Sequence, residues 1–171
     1  RALAGVFLAE GNYEEALKLY EEAIQFLRQS NDASASALLS FDLQVKAGVL
    51  MQLDQLDQAE SVLNEGEKLA RNEFEKALYL SLRAALSLKR ELAKDDKLDL
   101  KEAIQLQEKA VAEKLKNDVI GEDFAYLGAT NDFLTLASFH LLNGDLDGAA
   151  EALDSVDRGI RAQEANLRKA Q

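Results

Sequence analysis

The chain of 171 residues contains no cysteine, no proline and no tryptophan, and only one histidine and one methionine. Without cysteine there are no disulfides, no thiolate zinc sites and no cysteine nucleophile. Without proline the chain lacks the residue that breaks helices and fits poorly into sheet centres. Positive charge is also scarce: 20 Lys+Arg stand against 31 Asp+Glu, a formal net charge of −11. Nucleic-acid phosphates require a cationic face, so this balance argues against a nucleic-acid partner. No apolar run approaches the roughly 18 residues that a membrane-spanning helix needs. The first residues show no basic–apolar–small leader layout. A cytoplasmic protein without membrane insertion is expected.

Apolar residues make up 47% of the chain and charged residues 30%. That is too apolar for disorder and enough for a sizeable core in one domain or one short repeat array. Residues 1–60 carry net −6, residues 61–121 net zero and residues 122–171 net −5. The balanced centre suits helices with interleaved Glu and Lys on a wet face. No Ser/Gly linker or low-complexity tract interrupts the chain, so a single domain over residues 1–171 is expected.

The apolar period is helical. Ala16, Leu17, Tyr20, Ala23, Ile24 and Leu27 follow a 3.6-residue stripe, and Phe133, Leu136, Ala137, His140 and Leu141 repeat it. Strict alternation, the strand signal, is not sustained. Breaks fall at Gly11-Asn12, Ser30-Asn31-Asp32, Asp54 to Asp57, Asn72, Asp95-Asp96 through Asp99, Asn117-Asp118 to Gly121, and Asn143-Gly144-Asp145. Asn12 with Glu15, and Asp99 with Glu102, are spaced as capping boxes. The breaks predict eight helices, over 1–10, 13–30, 33–53, 57–71, 73–94, 100–116, 122–143 and 147–168.

A longer period underlies these helices. Gly11-Asn12-Tyr13-Glu14-Glu15-Ala16, Asp54-Gln55-Leu56-Asp57-Gln58-Ala59, Leu98-Asp99-Leu100-Lys101-Glu102-Ala103 and Gly144-Asp145-Leu146-Asp147-Gly148-Ala149 share one pattern: a turn, a large apolar residue, two residues between, then alanine. The anchor alanines are 43, 44 and 46 residues apart. A small residue at that point lets two helices approach closely, and the large residue three before it fills the gap at the turn.

On these residues the sequence resembles the tetratricopeptide repeat family. Gly5, Leu8, Gly11, Tyr13, Ala16, Tyr20 and Ala23 match its signature in the first unit. Phe133, Leu136, Ala137, Gly144, Leu146, Ala149 and Leu153 match in the fourth, and Ala47, Leu50, Leu56, Ala59 and Leu63 in part in the second. The third is degenerate, with Gln107 where an aromatic is usual. The family period of 34 residues is stretched here, and the family's unit-ending proline is missing from all four units. The match is therefore to a long-helix variant. The segment Tyr13 to Tyr20 also looks like the three-helix microtubule-interacting-and-trafficking module, which does not account for the repeat at Ala149. Arg1 falls inside a first helix, so a fragment of a longer protein is expected.

The resemblance implies an all-α, right-handed superhelical solenoid of about four antiparallel helix pairs, with a concave surface built from the first helix of each pair. It places Phe41, Gln44, Gly48, Met51 and Gln52 on that surface in the second unit, Tyr79 and Lys89 in the third, and Asn131, Leu134, Ser138 and Leu141 in the fourth. The family's best-known groove clamps an acidic chaperone tail with Lys and Asn. The matching positions here are Ala2 and Val6, so that clamp is not expected.

Other constellations carry little chemistry. His140 lies in an apolar stripe and is expected to be a ring packed between helices. Asn143, Asp145, Asp147, Gly148 and Asp154 fall on calcium-loop positions. Position 1 is Asn and position 12 is Asp, however, and the same residues make an ordinary repeat turn. Adjacent acidic pairs such as Glu14-Glu15 do not face one another on a helix. No catalytic, metal or cofactor motif is present. The expected role is a non-enzymatic scaffold binding a protein or peptide, with self-association open. The alternative is a ligand- or peptide-sensing regulatory domain. The acidic ends point to a basic partner surface.

Overall fold

A computed structural model describes residues 1–30, 32, 34–94, 98–116 and 129–169 of the protein. The described residues form eight helices and no strand. They are α1 (Ala2–Ala9), α2 (Tyr13–Gln29), α3 (Ala35–Gln52), α4 (Leu56–Glu67), α5 (Glu73–Leu92), α6 (Lys101–Lys116), α7 (Thr130–Leu142) and α8 (Leu146–Lys169). The expected break at Asn117-Asp118 to Gly121, the start of the helix expected from 122, and Asp95-Asp96 all lie outside the described residues. No described helix is long and apolar enough to cross a membrane.

The chain packs into two compact units, residues 1–71 and 72–171. In the first, α1 packs on α2, α2 on α3 and α3 on α4. Its core is built from Ala16, Tyr20, Ile24 and Leu27 of α2, Leu43, Ala47 and Leu50 of α3, and Ala59 and Leu63 of α4. In the second, α5 packs on α6, α6 on α7 and α7 on α8. One core cluster there joins Ala84, Leu100, Ala103, Ile104, Leu136, Ala137, Phe139 and Ala152. A smaller one joins Val111, Ala129, Phe133 and Val156. The anchor alanines Ala16, Ala59 and Ala103 are fully buried, and Ala149 is 2% exposed.

Three of the turns share one hydrogen-bonding pattern. Gly11, Asp54 and Gly144 sit at φ +76°, 55° and +77°. The amide one residue further on reaches back to a carbonyl five residues earlier: Asn12 to Phe7 at 2.8 Å, Gln55 to Leu50 at 2.9 Å, Asp145 to His140 at 2.9 Å. The left-handed residue donates three residues back, to Leu8, Met51 and Leu141. This is the Schellman arrangement, which satisfies the last carbonyls of a helix and needs a left-handed residue to do so. The turns recur 43 and 133 residues after the first, so the sequence spacing is also a spacing of backbone geometry. In the second repeat Asp54 occupies the position held elsewhere by glycine; Asp is among the few side chains that visit this region.

The caps depart from expectation in detail. Asn12 caps nothing with its side chain; its amide donates to Glu10 at 3.1 Å. Asp99 accepts from the Lys101 amide at 3.2 Å, while Glu102 accepts from Ser87 Oγ of α5 at 2.9 Å and closes no box. The side-chain cap forms instead at Asn72, whose Oδ1 accepts from the Glu75 amide at 2.8 Å. At the break between α2 and α3, Asp32 accepts from the Ser34 amide and hydroxyl, both at 2.8 Å. These bonds stabilise its charge and hold its pKa below the ordinary carboxylate value.

Candidate functional site

The helices α3 and α7 follow the breaks that open the second and fourth repeats' helix pairs. Both are apolar on more than one side. On α3, Leu43, Ala47 and Leu50 face the core, while Leu38 (40% exposed) and Phe41 (54% exposed) face solvent. Gln44, Val45 and Gly48 are half-buried and Gln52 is exposed. Leu38, Phe41, Val45, Gly48 and Gln52 are spaced by three or four residues, so they form one stripe. On α7, Phe133, Leu136 and Ala137 are core, while Asn131, Leu134, Ser138 and Leu141 are exposed at the same spacing. Large exposed apolar side chains aligned in this way are more informative than ones scattered singly.

Of the residues expected on the binding surface, Phe41, Asn131, Leu134 and Ser138 are exposed, and Gln44 and Lys89 are half-buried. Ser138 Oγ donates to the Leu134 carbonyl at 2.9 Å, which covers one carbonyl on the exposed face of α7. Met51 and Tyr79 require correction: Met51 is 5% exposed and Tyr79 is fully buried, so both are packing residues.

A polar cluster inside the second unit was not anticipated. Asp132 of α7 is 7% exposed and lies among three donors. Lys114 Nζ of α6 donates to Oδ2 at 2.5 Å, and Ser81 Oγ of α5 to Oδ1 at 2.8 Å. Gln107 Nε2 of α6 donates to Oδ1 and to the Asp132 carbonyl, each at 3.2 Å. Lys114 Nζ also stands 6.0 Å from the centroid of the Phe74 ring. Gln107 is fully buried; its Nε2 finds both acceptors on Asp132, while its Oε1 is buried without a hydrogen-bond partner among the described residues. The available signal was a pair of polar residues, Gln107 and Asp132, each set among apolar stripe positions.

In the first unit, Asp42 of α3 is a fully buried carboxylate. Arg1 grips it through Nε (2.8 Å to Oδ1) and Nη2 (2.9 Å to Oδ2). This hydrogen bonding raises the Arg1 pKa against the opposing effect of burial. Burial, with the nearby Asp42 charge, raises that of the Tyr20 hydroxyl.

His140 is 9% exposed, and its Nδ1 donates to Asp145 Oδ2 at 2.7 Å. Asp145 Oδ1 accepts from the Gly148 amide at 3.0 Å and so caps α8. The Gly148 bond first, and the His140 bond second, hold the Asp145 carboxyl below its ordinary pKa. A Cβ at Gly148 would lie 2.5 Å from both Asp145 Oδ2 and His140 Nδ1, so the pair requires glycine there. The residues that fall on calcium-loop positions are used differently: helix α8 begins at Leu146 and carries Asp147 and Asp154, and Asp145 is engaged as a cap. Among the described residues no group of three or more His, Asp or Glu side chains could hold a metal ion.

No protein-family model matches the chain, and no curated protein or solved structure matches it either.

Proposed function

We propose that the chain is a helical-repeat docking module of the tetratricopeptide type, in its long-helix form, that binds a protein or peptide through an exposed apolar helix face, that of α3 in the first unit or that of α7 in the second. The observation that carries this reading is the doubled apolarity of those two helices. Each buries one stripe and leaves a second exposed, Leu38 and Phe41 on α3 and Leu134 and Leu141 on α7. The recurring turn at Gly11, Asp54 and Gly144 supports the repeat assignment, and a right-handed solenoid belongs to the same proposal. The net charge of −11 favours a partner with basic residues around an apolar anchor and disfavours nucleic acid. We place the module in the cytoplasm and assign it no catalytic role.

Panning a random peptide library against the whole chain tests the proposal. Selected peptides should combine apolar anchors with Lys or Arg. Their affinity should fall with added salt and fall about tenfold or more in Phe41→Asp or Leu134→Asp, as expected for a truncated anchor. Selected peptides whose binding is indifferent to both substitutions would overturn it.

A further inference from the structure

The last helix carries a stripe that neither the core nor the proposed docking faces use. Leu146 (70% exposed), Leu153 (46%), Ile160 (45%) and Leu167 (60%) lie along α8. They are spaced by seven residues, so they form one nearly straight line on the helix surface. The core face of α8, with Ala149, Ala152, Val156 and Ala162, runs beside this line.

Charge along α8 is polarised. Residues 146–157 contain Asp147, Glu151, Asp154 and Asp157 and no base, whereas residues 158–169 contain Arg158, Arg161, Arg168 and Lys169 against one acid, Glu164. Asp147, Asp154, Arg161 and Arg168 also repeat every seven residues, one position after each apolar residue. The two series share an approximate centre near residue 157. Turning the helix end over end about that point brings Leu146 onto Leu167, Leu153 onto Ile160, Asp147 onto Arg168 and Asp154 onto Arg161.

We infer that the α8 stripe is the contact between two copies of this chain, paired antiparallel about a two-fold axis near Asp157. The occupant follows from charge. An antiparallel copy sets the acidic half of each helix against the basic half of the other, whereas a parallel copy sets like against like. Within one copy Arg161 holds Asp157 at 2.5 Å and Arg168 approaches Glu164 at 4.0 Å. All four side chains are more than half exposed, so these pairs are weak and open to exchange across the axis. The four apolar residues line a helix about 36 Å long.

Sedimentation equilibrium of the whole chain up to about 100 µM reads this out. A concentration-dependent dimer is expected, abolished by Leu153→Glu with unchanged helical circular dichroism. Asp154→Arg and Arg161→Asp should each weaken it about tenfold, because two-fold symmetry counts each change twice. The two together should restore it. Since the chain lacks cysteine, Asp157→Cys should give an intermolecular disulfide near the axis. Leu146→Cys should cross-link only to Leu167→Cys in a mixture. A monomer throughout the concentration range, self-cross-linking of Leu146→Cys, or a dimer blind to the charge exchange would overturn the inference. Peptide binding through α3 or α7 does not depend on this outcome.

Discussion

At the scale of single residues, the sharpest constraint is the contact between Gly148, Asp145 and His140. Gly148 is inside a helix, where glycine ordinarily costs about 1 kcal/mol relative to alanine. Here Gly148→Ala should destabilise the protein, because its Cβ would force apart a histidine and a carboxylate that lie 2.5 Å from it. Urea unfolding checks the sign, and a stabilised variant would contradict the contact. Asp145 itself has a pH signature. Its folded pKa is depressed, so its contribution is present above the unfolded value of about 3.9 and is lost as pH falls through the folded value. Asp145→Asn should flatten the acid limb of stability against pH, leaving the limb above neutrality unchanged. Asp54 illustrates the same scale differently: it holds a left-handed turn at φ 55° where the other two repeats use glycine. A turn residue can therefore change while the turn persists.

At the scale of elements, most of the helices were legible. Segments expected at 13–30, 33–53 and 100–116 are observed as Tyr13–Gln29, Ala35–Gln52 and Lys101–Lys116. The reason is that period and breaks agree there. The anchor alanines were equally legible because a small residue at a fixed distance from a turn has one packing role. Face assignment was less so. Met51 could not be placed by counting, since α3 is apolar around most of its circumference and one position of error rotates a side chain by about 100°. Tyr79 was misplaced because no left-handed glycine precedes the third repeat's second helix to fix the register. The Asp132 cluster stayed hidden because its members, Ser81, Gln107, Lys114 and Asp132, come from three helices. Sequence distance alone does not join them. That cluster ties α5, α6 and α7 together, and the Lys114–Asp132 side chains are 8% and 9% exposed. Asp132→Ala should cost about 3–5 kcal/mol by leaving a buried cation unpaired. Lys114→Met combined with Asp132→Leu should cost well under the sum of the two single changes. Denaturant midpoints of the four proteins test this coupling, and simple additivity would contradict it.

At the scale of the whole molecule, the missing prolines and the recurring turns describe one design. Long helices are closed by Gly, Asp and Asn rather than by proline, and the period stretches to 43–46 residues. On α3 and α7 a second apolar stripe lies outside the core. The proposed docking role rests on those stripes, and amide hydrogen exchange tests it most directly. The whole chain is compared with and without a peptide selected by panning. New protection is expected in α3 or in α7, with α2 and α6 unchanged. Protection confined to other helices, or none at saturating peptide, would contradict that role.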